Sequence, residues 1–168
     1  ATSGLAGLLE ATQRFETLAV AEPDDWLSSY WTALAYTQLG LFAGDERQPL
    51  QNQLARVYYE KAWSLRPEDD RSVEADFLAL EGLLYGFLAN DESEDGAEAL
   101  FDRSAGAWAK AEETDPDNPM VWMNRGIALL ADEETRNEGH DLCEKAIALY
   151  EERLESTRPN WGRQFLDV

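Results

Sequence analysis

The chain has 168 residues, of which 44% are hydrophobic, and its six Trp, six Tyr and six Phe supply enough bulk for the core of one domain. Its 34 acidic and 14 basic residues give a net charge of −20. Such a surface repels nucleic acid and anionic membranes, so neither is expected as a partner. No apolar run approaches the roughly 18–20 residues that a membrane-spanning helix needs, so membrane insertion is not expected.

The acidity has two explanations. The basic residues comprise eleven Arg and only three Lys. An excess of carboxylates with few Lys is typical of proteins adapted to high salt, in which ions screen the repulsion between like charges. An acidic protein from a low-salt habitat accounts for the same composition equally well, and the sequence does not separate the two.

Apolar residues recur at helical spacing along nearly the whole chain, and no alternating pattern typical of a β-strand stands out. The segment Pro23-Asp24-Asp25 ends the first helix and supplies an N-cap for the next. The pattern predicts a single all-α domain over residues 1–168 with about seven helices. In chain order these form an N-terminal helix (3–21), three helix hairpins (24–67, 72–116 and 119–159) and a C-terminal cap (160–168).

A short pattern repeats in the second helix of the first two hairpins. It consists of an aromatic residue, an Ala three residues later and a Pro five residues after that: Tyr59, Ala62 and Pro67, then Trp108, Ala111 and Pro116. The Ala lets neighbouring helices approach closely, and the Pro ends the helix. Each hairpin has an apolar face that it cannot cover alone, so the hairpins are expected to stack.

These positions resemble the tetratricopeptide repeat. The first-helix matches are Trp31 and Ala35, then Leu78, Gly82 and Tyr85, then Trp122 and Gly126; the second-helix matches add Ala55 and Ser104 to the repeated pattern above. The resemblance implies a superhelical stack of hairpins that binds other proteins and catalyses no reaction. The first two blocks carry more residues between their helices than the tight turn of the family, which predicts long hairpin loops.

Three segments, residues 15–30, 108–121 and 143–162, are similar to uncharacterised repeat proteins of Bacteroidetes type. Members of that group usually carry an export signal. The resemblance therefore implies a bacterial protein of the periplasm or cell envelope, with a cytoplasmic location as the alternative.

In the tetratricopeptide family, the first helix of each hairpin forms the inner surface that holds a partner. Carried over by position, the residues that would form it are Ser29, Thr32, Tyr36, Asp76, Ala79, Leu83, Met120, Met123 and Ile127. None of them is Lys or Arg, so the basic clamp by which some family members hold a carboxylate is missing. A basic or apolar segment of another protein is the expected partner, with no cofactor, and the oligomeric state stays open.

The alternative function is cation or small-molecule binding, at the acidic segment 90–96 or in a pocket between helices. Asp91, Ser93, Asp95 and Asp102 follow the ligand spacing of an EF-hand calcium loop. Three departures weaken the match: Glu98 stands where that loop has an apolar residue, Asp102 replaces its bidentate Glu, and residues 96–102 already have a helical pattern. A solvated loop beside a helix cap is the simpler interpretation.

Candidates for catalysis are few. His140 has no second His to share a metal, and Cys143 lies on the apolar stripe of its helix, where Cys is ordinary packing. No phosphate-binding Gly-rich loop or Ser nucleophile elbow is present. Among the aromatic residues, Trp31, Trp108 and Trp122 are expected in the core, Trp161 as a lid on the last helix, and Trp26 and Trp63 are the candidates for exposure.

Overall fold

The computed structural model describes residues 2–42, 47–130 and 132–157, and these residues form seven α-helices and no β-strand. The all-α class and the helix order predicted from the sequence are confirmed. The predicted C-terminal cap, with Trp161, lies outside the described residues. The helices are α1 (Thr2–Ala21), α2 (Trp26–Phe42), α3 (Gln48–Leu65), α4 (Arg71–Asn90), α5 (Glu94–Thr114), α6 (Pro119–Leu130) and α7 (Arg136–Thr157).

Short polar side chains define where several of these helices begin. Asp25 accepts hydrogen bonds from the backbone N–H groups of Leu27 (3.2 Å) and Ser28 (2.9 Å) at the start of α2. Asp70 caps α4 in the same way, and the side chain of Asn118 accepts from the backbone N–H at the start of α6 (2.9 Å). These bonds satisfy N–H groups that have no partner within the helix, so they fix the helix starts locally.

The helices pack mainly as consecutive pairs. The pairs α2–α3, α4–α5 and α6–α7 form three hairpins, α1 covers α2, and α4 packs against α6 and, through smaller contacts, against α2 and α3. Helix α4 therefore lies in the middle of the stack. Eleven of its residues are buried, whereas α5 buries only Ser104, Ala107 and Ala111.

The core is centred on Phe77, a fully buried residue of α4. Four aromatic rings from α2 and α3 surround it, with centroid distances between 5.0 and 5.9 Å: Trp26, Tyr30, Tyr59 and Trp63. Because aromatic rings bury large apolar areas and pack edge to face, this cluster joins the first hairpin to the second.

Close contacts at small residues hold each hairpin together. A Cβ built on Gly40 would lie 2.6 Å from Asn52, one on Gly82 would lie 2.5 Å from the Trp108 ring, and one on Gly126 would lie 2.6 Å from Cys143. In every hairpin, a glycine of the first helix therefore accepts a side chain of the second helix where a methyl group would not fit.

Two expectations about the surface are wrong. Trp31 is 38% exposed and stacks on Phe15 of α1 (centroids 6.0 Å), whereas Trp26 and Trp63, the candidates for exposure, pack around Phe77. The reason is that α1 lies along one side of α2, so the ring of Trp31 points toward α1 and the solvent and not toward α4.

The expected long loop of the second hairpin is also wrong. Residues 91–93 alone separate α4 from α5, because the additional residues extend these two helices to 20 and 21 residues. Of the predicted acidic loop 90–96, residue 90 belongs to α4 and residues 94–96 belong to α5, so only residues 91–93 form a connection.

Candidate partner-binding surfaces

Five of the nine residues predicted to form the inner surface are buried in the structure: Ser29, Thr32, Tyr36, Ala79 and Leu83. Thr32 donates its hydroxyl to the backbone carbonyl of Ser28 (2.7 Å), and the ring of Tyr36 stacks on Tyr58 of α3 with centroids 5.9 Å apart. Since α2 and α4 have neighbours on several sides, these residues pack within the stack and offer little accessible surface.

The other four predicted residues are partly exposed. Met120, Met123 and Ile127 lie on α6, and Asp76 lies on α4. The packing of α6 against α4 brings the two helices together, so the accessible part of the predicted inner surface is concentrated there. It combines three flexible or branched apolar side chains with one carboxylate.

Asp76 is the carboxylate of this surface, and its pKa is shifted by its surroundings. Burial raises the pKa of Asp76 from 3.8 to about 6, although a hydrogen bond from Asn118 and the positive charge of Arg153 act in the opposite direction. Asn118 donates its side-chain N–H to Asp76 Oδ1 (2.8 Å) and also contacts the backbone carbonyl of Ser72 (3.2 Å). Asn118 thereby ties the start of α6 to the first half of α4.

A second concave surface lies between α5 and α6. The sequence offered a pocket between helices as an alternative site but did not indicate which helices or residues form it. The surface encloses about 360 Å³. Its lining combines small and large apolar side chains with one ion pair across the two helices, between Glu112 and Arg125. The lining residues are Ala105, Trp108, Ala109, Glu112, Arg125, Ala128 and Leu129.

The four candidate calcium ligands do not form a calcium loop. Asp91 and Ser93 lie in the short connection before α5, whereas Asp95 and Asp102 lie on α5 itself, two helical turns apart. An EF-hand loop needs irregular backbone over these positions to point its oxygens at one ion. Asp91 instead accepts a hydrogen bond from Asn52 of α3 (2.9 Å).

Within residues 2–42, 47–130 and 132–157, no group of three or more His, Cys, Asp or Glu is placed to hold a metal ion. His140 is exposed. Burial raises the pKa of the Cys143 thiol, which packs against Gly126. A raised pKa lowers the thiolate fraction, so Cys143 is a weaker nucleophile than an exposed cysteine.

None of the helices in the described parts of the chain is long and apolar enough to cross a membrane. No protein-family model matches the chain, no curated protein matches it, and no solved structure matches it. In the parts of the chain that the structure describes, seven helices pack largely as sequential hairpins.

Proposed function

We propose that this chain is a tetratricopeptide-like interaction module that binds a segment of another protein and catalyses no reaction. The observation that carries the proposal is the partly exposed apolar group on the first helix of the third hairpin, Met120, Met123 and Ile127. Met is adaptable and common at surfaces that accept varied partners, and a branched Ile beside it adds apolar area. Asp76 of the neighbouring helix α4 is tied to the start of α6 by the hydrogen bond that it accepts from Asn118.

The partner segment is apolar or basic. Apolar side chains of the partner are removed from water against the Met and Ile side chains, which contributes about 25 cal/mol per Å² of buried apolar area. The net charge of −20 attracts cationic segments over a distance and accelerates encounter at low ionic strength. Specificity on this surface arises from shape and apolar contact.

A quantitative pull-down from the native host, read by mass spectrometry, tests this function. The double variant Met123→Ala and Ile127→Ala removes apolar area from the surface, and we expect it to recover at least tenfold less of the partner than the wild type recovers. A matched control, Leu50→Ala with Val57→Ala, removes exposed apolar side chains from α3 and should leave recovery unchanged. Equal recovery by all three proteins would exclude this surface as the binding site.

The resemblance to exported repeat proteins is the basis of a second part of the proposal, a location in the bacterial periplasm or envelope. Fractionation of the native host with an antibody against this chain tests it. Recovery of the protein with cytoplasmic markers would exclude an envelope location and leave the binding function unaffected.

A further inference from the structure

The concave surface between α5 and α6 has an apolar floor that is open to solvent. Ala105 and Ala109 are exposed, whereas Trp108, Ala128 and Leu129 are partly exposed. Phe101 lies one helical turn before Ala105 and is 49% exposed, so it extends the same apolar strip along α5. We call this surface the α5–α6 groove.

Acidic residues border the groove. Glu98, Asp102 and Glu113 are exposed and lie on the same face of α5 as Ala105 and Ala109, because residues three or four apart share a helix face. On the α5 side, Glu98 and Asp102 thus lie at one end of the groove and Glu113 lies at the other.

The basic residues of α5 and α6 do not neutralise this border. Arg103 and Lys110 of α5 point to α4, where they pair with Glu81 (2.7 Å) and Glu74 (2.9 Å). In the groove itself, Arg125 pairs with Glu112. The exposed carboxylates therefore determine the sign of the field above the apolar floor.

We propose that the α5–α6 groove is a second interaction surface, which binds a basic amphipathic segment of another protein. Ala105 and Glu112 are seven residues apart, about 10 Å along the helix axis, so the groove accommodates two turns of a partner helix. The apolar face of that segment lies on Trp108 and Leu129, and its Lys or Arg side chains reach the bordering carboxylates.

The charge also argues against other occupants. Two copies of this chain each carry −20, so self-association through an acidic-bordered surface is opposed by repulsion. Nucleic acid and anionic lipid are repelled for the same reason. A basic amphipathic protein segment can pair its cations with the bordering carboxylates and cover the apolar floor.

Calorimetry with synthetic peptides tests the proposal. The first probe is an amphipathic helical peptide with Leu on one face and Arg on the other, the second replaces every Arg with Glu, and the third replaces every Leu with Gln. We expect the Leu–Arg peptide to bind at least tenfold tighter than either of the others, and its affinity to fall as NaCl is raised. Equal binding of the Gln–Arg peptide would show attraction to the net charge alone and would overturn the proposal.

Two substitutions locate the binding. Ala109→Arg places a cation in the groove, whereas Ala148→Arg makes the same change in charge at an exposed position of α7, a helix that does not pack against α5. Ala109→Arg should weaken Leu–Arg binding at least tenfold relative to Ala148→Arg. Because Ala109 is exposed, the variant is expected to fold, and circular dichroism checks this. An equal effect of the two substitutions would overturn the proposal.

The inner-surface variant separates this inference from the proposed function. Met123→Ala with Ile127→Ala should still bind the Leu–Arg peptide in the groove with the wild-type affinity, although the inner surface, which is itself proposed to bind apolar or basic segments, no longer contributes. If that variant loses the peptide while Ala109→Arg retains it, the groove proposal is overturned and the inner surface is supported instead.

Discussion

Gly82 of α4 offers the sharpest test of how the hairpins are held together, because a methyl group there has a defined neighbour. A Cβ at position 82 would lie 2.5, 2.6 and 2.9 Å from Cε2, Cδ2 and Nε1 of Trp108. Carbon atoms in contact prefer about 3.5–4.0 Å. The indole would therefore have to withdraw by about 1 Å from its seat on α4.

Two effects of Gly82→Ala oppose each other. Ala is favoured over Gly inside a helix by about 1 kcal/mol. Overpacking a well-filled contact costs about 1–3 kcal/mol, and the atoms that clash here belong to the rigid ring of Trp108 and not to the end of a flexible chain. We expect the clash to prevail, with a net loss of up to about 2 kcal/mol in the free energy of unfolding.

Gly106→Ala is the matched control, since a Cβ at this exposed position of α5 has no atom within 4 Å. This variant should gain about 0.5–1 kcal/mol from helix propensity alone. Urea unfolding followed by circular dichroism measures both changes, and the two Gly→Ala variants should differ in sign. Stabilisation by both substitutions would refute the seating of Trp108 on Gly82.

A double-mutant cycle identifies the neighbour that is responsible. Trp108→Leu shortens the side chain and leaves room for a methyl group at position 82. In that background, Gly82→Ala should cost less than in the wild type, with a coupling energy of about 1 kcal/mol or more. A coupling energy near zero would mean that another group limits the space.

Three further predictions concern packing, pH and salt. Ala111 is fully buried, so Ala111→Leu should lower the free energy of unfolding by about 1–3 kcal/mol in urea titrations, and a loss no larger than that of the exposed Ala99→Leu would contradict tight packing there. The pKa of Asp76 is about 6 in the folded chain against 3.8 in the unfolded chain, so the folded state binds the proton more tightly and stability falls as pH rises between these values. Asp76→Asn should therefore be more stable than wild type by about 2–3 kcal/mol at pH 8 and equal to it at about pH 3, and a difference that does not vary with pH would exclude ionisation as its cause. If repulsion among the carboxylates limits stability, the thermal midpoint should rise with KCl more in the wild type than in a charge-reduced variant, whereas an equal rise would point to salting-out of apolar surface.

Helix boundaries were accessible from the sequence because their signals are local. Pro67 and Pro116 follow the ends of α3 and α5, and the N-cap predicted within residues 23–25 is Asp25. A proline lacks the N–H that a helix interior needs, and a capping carboxylate acts within three residues, so neither depends on tertiary structure.

The direction in which an aromatic side chain points was not accessible in the same way. Trp26 and Trp31 both lie on α2, but only tertiary packing decides that the first meets Phe77 and the second meets Phe15. Helix α2 contacts α1, α3 and α4, so its wide apolar stripe is shared among three neighbours. Periodicity shows that such a stripe exists and does not assign its sectors to individual helices.

The number of helices that pack around each first helix also explains which of the predicted inner-surface residues stay accessible. Tyr36 and Leu83 lie on helices with neighbours on several sides and are buried, whereas Met123 and Ile127 lie on α6, which packs mainly against α4 and α7. Carrying positions over from a repeat family assumes equal exposure of each first helix. That assumption fails where α1 and the long α4 add contacts.

The α5–α6 groove follows from the way both of its helices are attached to α4. Trp108 packed on Gly82 fixes α5 against α4, and the hydrogen bond from Asn118 to Asp76 fixes the start of α6 against the same helix. Direct contact between α5 and α6 is slight by comparison. Their separation is thus set through α4, and the Trp108 ring that seats α5 also forms part of the groove wall. Displacement of that ring by Gly82→Ala should therefore weaken binding of the Leu–Arg peptide as well as the fold, which makes Gly82 the position where the packing of the stack and the shape of its proposed second surface are coupled.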